Sequence, residues 1–149
     1  MRLVIQRVKE ASVTVDNAIT GQIGPGLLVL AGCAPTDDEA ALGWLARKLV
    51  GLRIFADANG QMNLSVRDVG GQVLIVSQFT LLADARKGNR PSYVGAAPPA
   101  VAEPLYRRFV ALVQQELGRP VPTGIFGADM QVRLLNDGPV TIVLDSPPA

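Results

Sequence analysis

Ser77, Gln78, Phe79 and Thr80 follow directly on the apolar run 73–76, and Leu81 and Leu82 resume it. Two hydroxyls and an amide within four residues can donate and accept hydrogen bonds, and a threonine hydroxyl can serve as a nucleophile. As a buried strand over 73–82, this stretch would place polar groups where they cost free energy unless they are hydrogen-bonded. Two readings fit the pattern. In one, a strand ends here and Ser and Thr tie down backbone; in the other, Ser77 to Thr80 form the floor of a site. The 149-residue chain has no histidine and a single cysteine, Cys33. Ser-His-Asp and Cys-His nucleophile systems are therefore impossible, as are zinc sites built on imidazole or several thiolates. An enzyme made from this chain works with hydroxyls, carboxylates, lysines, backbone groups or the substrate's own groups, with no metal or cofactor expected.

The elements that must position these residues alternate along the chain. Residues 3–8 and 12–15 read as strands interrupted by Glu10 and Ala11, with Arg7 read locally as an exposed edge charge. Glycines 21, 24 and 26 with Pro25 mark turns around a short strand near Gln22 and Ile23. The run 26–33 is continuous and apolar, as in a strand buried on both faces. A helix opens after Pro35, where Thr36 and Glu39 have capping-box spacing. It buries Leu42, Leu45 and Leu49 and stops at Gly51. Residues 53–55 and 62–66 carry strand character around a turn at 57–60. A longer helix runs from the Pro98-Pro99 pair to Leu117, with Leu105, Phe109, Leu112 and Leu117 inward and Gly118 as its stop. Pro104 requires the regular helix to begin near Glu103. The last segment reads as a hairpin, with strands 130–137 and 140–145 around an Asn-Asp-Gly turn. Pro139 fits poorly there, because it removes a donor from the outgoing strand and admits a cis bond.

Composition sets the outer bounds. Apolar residues make up 48% and charged residues 18%, which suits one folded domain over 1–149 with 146–149 as a short tail. The formal net charge of +1 gives no global basic field for nucleic acid, so any RNA contact must be local. One local cluster exists: Arg86, Lys87 and Arg90 in a loop punctuated by Gly88 and Pro91, able to follow phosphates or simply to face solvent. A lone thiol suits a reducing compartment. The first ten residues carry Arg2, Arg7, Lys9 and Glu10 and lack a signal-peptide core, and no apolar run reaches the ~20 residues of a membrane helix. The expected location is the cytoplasm.

Ser77-Gln78-Phe79-Thr80-Leu81 together with Asn136-Asp137-Gly138-Pro139-Val140-Thr141 resembles the D-aminoacyl-tRNA deacylase family. The loop 86–92 and the stretches 95–99 and 126–130 support the likeness, which runs from Met1 to about Ser146 and departs from it at Leu82 and Ala85. The resemblance implies an α/β fold with a β-barrel-like sheet and two main helices, assembled as a homodimer. It implies hydrolysis of the ester joining a D-amino acid, or glycine, to the terminal ribose of tRNA, with L-aminoacyl-tRNA rejected. It implies that Gly138-Pro139 is cis and enters the partner subunit's active site. On this likeness Ser77, Gln78, Phe79 and Thr80 are the catalytic set. Gly138, Pro139, Met130 and Arg7 bind substrate, and Arg86, Lys87 and Arg90 hold the acceptor end of the tRNA.

An aminoacyl ester is already activated and has a ribose 2′-hydroxyl beside it to position or deprotonate water. The protein then needs orientation and an oxyanion site, which backbone N–H groups near Phe79 and Thr80 can supply. The Thr80 hydroxyl as nucleophile is the competing assignment, and it lacks an evident base. Two other function classes stand beside this one. A non-catalytic RNA-binding domain accounts for the basic loop and not for Ser-Gln-Phe-Thr; a small-metabolite esterase accounts for the pocket and not for the loop.

Overall fold

A single first strand, β1 (Arg2–Val15), runs through Glu10 and Ala11 where the sequence predicts a break. The break is absent because β1 has partners along both edges. In a computed structural model, which describes residues 1–148, β7 (Gln131–Asp145) pairs antiparallel with it from Arg2↔Asp145 to Thr14↔Gln131. Its other edge is shared. Residues Arg2 to Val8 pair with β3 (Gly26–Gly32), and Ala11 to Val15 pair with β2 (Ala18–Ile23). Parallel to β3 lies β6 (Gln72–Ser77). The sheet order is thus β2-β1-β3-β6 with β7 on β1, curled into a half-barrel. A two-stranded ribbon, β4 (Phe55–Ala56) and β5 (Met62–Leu64), is shorter than the sequence pattern suggests.

Parallel strands need a crossover, and α1 (Glu39–Gly51) supplies it between β3 and β6. Its N-cap is Asp38 and not Thr36: Asp38 Oδ1 accepts from Ala41 N–H at 2.9 Å. Glu39 leaves the capping role to pair with Arg108 on the other helix. Gly51 stays helical and Leu52 caps in extended conformation, so no left-handed stop occurs there. The predicted stripe of Leu42, Leu45 and Leu49 is buried.

The second helix, α2 (Pro99–Leu117), starts at the proline pair and not near Glu103. Pro104 therefore lies inside it, on the exposed side, where water can satisfy the carbonyl its missing N–H leaves. The inward face is rotated from expectation. Ala102, Tyr106, Phe109, Val113 and Leu117 are buried, and Leu105 and Leu112 pack at the margin. Gly118 ends the helix in left-handed conformation, as the sequence predicts (φ 78°), its N–H donating to Gln114 O at 2.8 Å. Tyr106 ties the helix to the sheet through its hydroxyl, which donates to Ile75 O at 3.0 Å; burial pushes that phenol up to about 12. The main core fills the space between sheet and helices. A smaller cluster, including Val8, Val13, Leu28 and Leu74, covers the opposite face.

The C-terminal segment is not a hairpin. Both halves of β7 lie along β1, and the intervening residues bulge. Asn136 stands opposite Val8 and Thr141 opposite Gln6, so residues 137–140 face Arg7 alone. This extrusion gives Pro139 a place where no ladder donor is needed. Of the expected tail, Ser146 hydrogen-bonds Met1 through backbone and side chain, and Ala149 lies outside the described residues.

Candidate active site

β6 ends at Ser77, and the chain turns at once into a short 3₁₀ helix, Phe79–Leu82. The polar residues thus do not line a buried strand; they occupy the point where the strand stops. Ser77 and Gln78 are half-buried, and Phe79 is 55% exposed. Gln78 N–H donates to Ala31 O at 2.8 Å, which seats the turn on the end of β3. Leu81 N–H returns to Gln78 O at 3.2 Å and Ala83 N–H to Thr80 O at 3.1 Å. A helix start leaves its first donors without intrahelical partners. Among the described residues no acceptor faces the N–H groups of Phe79 and Thr80. The Thr80 hydroxyl accepts from Gln78 Nε2, so the amide holds that side chain at the surface.

This turn borders a cavity of about 870 Å³. Its floor is apolar, built from Ala31, Cys33, Val76, Ala97 and Ala102, and Met130 closes one side. Gly124 leaves room for Met130, whose sulfur occupies the place a Cβ there would take. Tyr93 stacks edge-on against Phe79, ring centroids 5.1 Å apart, and both rings stand at the rim. Three lining residues carry titratable groups. Burial pushes the Cys33 thiol up to about 11, so it stays protonated at neutral pH. Glu103 is engaged by Arg107 at 2.7 Å, and Tyr93 is a phenol at the rim.

The remaining predicted residues lie elsewhere. Gly138 and Pro139 sit at the exposed tip of the bulge, joined by a cis peptide bond, and border neither this cavity nor a second one of about 490 Å³ beside Asp137 and Arg119. Arg7 is no exposed edge charge, its side chain being 14% accessible. It donates to Asp137 O at 2.9 Å and Ile54 O at 2.6 Å, at the base of the bulge. Asn136 closes the neck from the other side: its Oδ1 accepts from Val140 N–H at 2.8 Å and its Nδ2 donates to Thr141 Oγ1 at 3.0 Å. In the basic loop Arg86 is bound to Asp84 through Nε at 2.9 Å and Nη2 at 2.6 Å. Lys87 and Arg90 are exposed. The structure therefore gathers Ser77, Gln78, Phe79 and Met130 at one cavity, leaves Thr80 exposed as the next residue of the turn and outside the lining, and keeps Arg7, Gly138 and Pro139 together away from it. Sequence reasoning missed Tyr93, Phe126 and the small floor residues; only the Ser-Tyr pair closing the basic loop hinted at the first.

Residues 4–145 match the family model described as D-Tyr-tRNA(Tyr) deacylase. A protein named D-aminoacyl-tRNA deacylase from Chlorobaculum parvum is 60% identical over 147 residues, 99% of each chain. Its namesake from Dechloromonas aromatica is 59% identical over 146 residues, 98% of this chain and 97% of that one. The solved structure of a protein named c-Myc DNA Unwinding Element Binding Protein has a TM-score of 0.91 at 42% identity, covering 99% of this chain and 100% of its own. Another, of a probable eukaryotic D-amino acid tRNA deacylase, has a TM-score of 0.83 at 20% identity over 96% and 97%, and shares the fold.

Proposed function

The chain belongs to the D-Tyr-tRNA(Tyr) deacylase family of D-aminoacyl-tRNA hydrolases, and from that premise we propose that the Ser77–Thr80 turn is its reacting centre. The observation that carries this is the pair of unpartnered N–H groups on Phe79, which lines the large cavity, and on Thr80, the next residue of the turn. Water adds to the ester carbonyl carbon, and its oxygen becomes an oxyanion that accepts from these two donors. The bond from that carbon to the ribose oxygen then breaks, and the proton lost by water ends on the departing ribose oxygen. The ribose 2′-hydroxyl beside the ester takes part in moving that proton. Gln78 positions Thr80, whose hydroxyl is not the nucleophile.

The bulge completes the site from a second copy of the chain. β7 offers its outer edge unpaired among the described residues, with Val132, Leu135 and Val143 exposed along it. Such an edge is normally covered. A homodimer that covers it and brings Gly138-Pro139 over the partner's cavity supplies backbone against which an L side chain collides, while a D side chain and glycine pass. Charged tRNA and a lone thiol both suit the cytoplasm as the compartment of action. The DNA binding in the name of one solved neighbour is not carried over to this chain, whose net charge of +1 supplies no duplex-scale positive field.

The test is parallel incubation with matched D-, L- and glycyl-tRNA, and with D-aminoacyl-tRNA whose terminal ribose lacks the 2′-hydroxyl. Hydrolysis of the D and glycyl esters, sparing of the L ester and slowing by the deoxy terminus are expected. Equal hydrolysis of the D and L esters ends the chirality reading, and full-rate hydrolysis of the deoxy substrate ends the 2′-hydroxyl's role.

A further inference from the structure

The turn that carries the two free N–H groups rests on Gly32, the last residue of β3. We propose that Gly32 is a positioning residue for the hydrolysis: its missing side chain sets how closely the Gln78 carbonyl, and with it Phe79 and Thr80, approach the sheet. The inference depends on the reading of residues 77–80 as the reacting centre.

A Cβ built on Gly32 would lie 2.8 Å from Gln78 O, 3.2 Å from Leu81 Cβ and 2.5 Å from Leu82 Cδ2. These obstacles differ in kind. The Leu82 methyl can rotate away. The Gln78 carbonyl cannot, because it accepts from Leu81 N–H while Gln78 N–H is bound to Ala31 O. The far end of the turn is pinned as well. Arg2 Nη1 donates to Leu81 O at 3.3 Å, and Arg2 is itself held by Asp145 at 2.8 Å. Gly32 is not in the left-handed region, so glycine is not needed there for its conformational freedom. The requirement is space alone. An alanine keeps the strand conformation and forces the turn outward by a few tenths of an ångström, moving both donors off the developing oxyanion.

Steady-state kinetics on D-aminoacyl-tRNA separate this role from a merely structural one. Parent, Gly32→Ala, Leu82→Ala, the Gly32→Ala/Leu82→Ala double variant and Phe79→Pro are compared. Gly32→Ala is expected to lower kcat about 10- to 100-fold, by analogy with the cost of small misplacements. KM should stay within about threefold, because an interaction made only in the transition state is lost. The double variant should show the same fall relative to Leu82→Ala, since the carbonyl overlap persists after the methyl is gone. Should Gly32→Ala alone not fold, that comparison carries the test with the side-chain clash removed. Full kcat in Gly32→Ala or in the double variant relative to its reference, recovery on removing Leu82, or a loss confined to KM overturns the proposal. Phe79→Pro, which removes one of the two donors at a helix start that tolerates proline, separates the two levels. If it is impaired while Gly32→Ala works at full rate, this inference alone falls; if both work at full rate, the reading of the site falls too.

Discussion

The 77–82 turn and the 137–140 bulge are both short irregular segments interrupting a long sheet, and they are held in opposite ways. The turn is bonded to its own chain at each end, through Ala31 and Arg2, and overlies a cavity of its own chain. The bulge is stapled at its base, by Arg7 and Asn136, and its tip borders neither the large cavity nor the one beside Asp137. On the proposed reading such a segment meets a second copy of the chain, so that one half of the site is complete within one chain and the other acts on a partner. Variants that treat the two segments differently test that contrast.

The largest effect is expected from removing the tip. Deleting Gly138 and Pro139 should lower D-aminoacyl-tRNA hydrolysis by at least about 10²-fold, because substrate orientation is lost. Phe79→Pro should disable the turn by removing one of its two donors. Mixing the two damaged proteins through subunit exchange should restore activity, with about one quarter of sites carrying both intact halves if exchange is random. No restoration from mixtures that demonstrably exchange would mean that each chain uses its own bulge or none.

A smaller effect should follow from Thr80→Val, which deletes the hydroxyl and keeps the N–H and the shape. Losing an oxyanion donor costs ~10²–10³ in rate, and this change should cost clearly less. The Gln78 amide loses its acceptor but faces solvent. A fall of about 10⁴ or a trapped acyl-enzyme would make the hydroxyl the nucleophile.

Much of this was legible in the residues, and the failures share a cause. The apolar runs at 26–32 and 73–76 named two buried strands correctly, because parallel strands covered on both faces leave no alternation to misread. The polar break at Ser77 falls where β6 ends beside the cavity, yet its form as a helical turn was hidden: nothing local says whether Thr80 continues a strand. The C-terminal Asn-Asp-Gly looked like a hairpin because a turn and a bulge use the same residue types. Only the pairing of both flanks with β1 distinguishes them, and that information lies 130 residues away in the chain. Arg7 failed for the same reason. Its acceptors, Asp137 O and Ile54 O, are distant in sequence, so its own neighbourhood offered only a charge on a strand.

Arg7 gives the third prediction. Arg7→Met leaves two carbonyls without a charged donor in a half-buried setting, which should cost ~1–3 kcal/mol of stability by denaturant melts. Hydrolysis should fall by about tenfold, as the tip loses its fixed position. A variant of parent-like activity despite the lost stability would show that the bulge is placed by the partner subunit and not by its own base.

The smallest effects belong to the basic loop, and here the structure ranks three cations that the sequence treats alike. Asp84 and Ser92 close the loop with a pair of backbone hydrogen bonds at 2.8 Å. Arg86 folds back on that closure, its guanidinium on the Asp84 carboxylate, and holds that carboxyl below its ordinary range. Such a solvent-exposed pair contributes little, so a phosphate can compete for the arginine. The gain is small all the same, because displacing Asp84 leaves its charge beside the same phosphate. Lys87 and Arg90 carry no such burden; neither forms an ion pair among the described residues. Each phosphate contact contributes roughly 0.7–0.9 to the log–log salt slope of binding. Lys87→Ala and Arg90→Ala should each flatten the slope by about that amount, and Arg86→Ala by visibly less. Asp84→Asn should do the reverse, releasing Arg86 to steepen the slope and tighten binding at low salt. The measurement is binding of uncharged tRNA across a salt series, which keeps hydrolysis out of the result. Three unchanged slopes would make the loop ordinary solvated surface, and an Arg86→Ala effect equal to the other two would mean that the Asp84 pair opens whenever RNA binds.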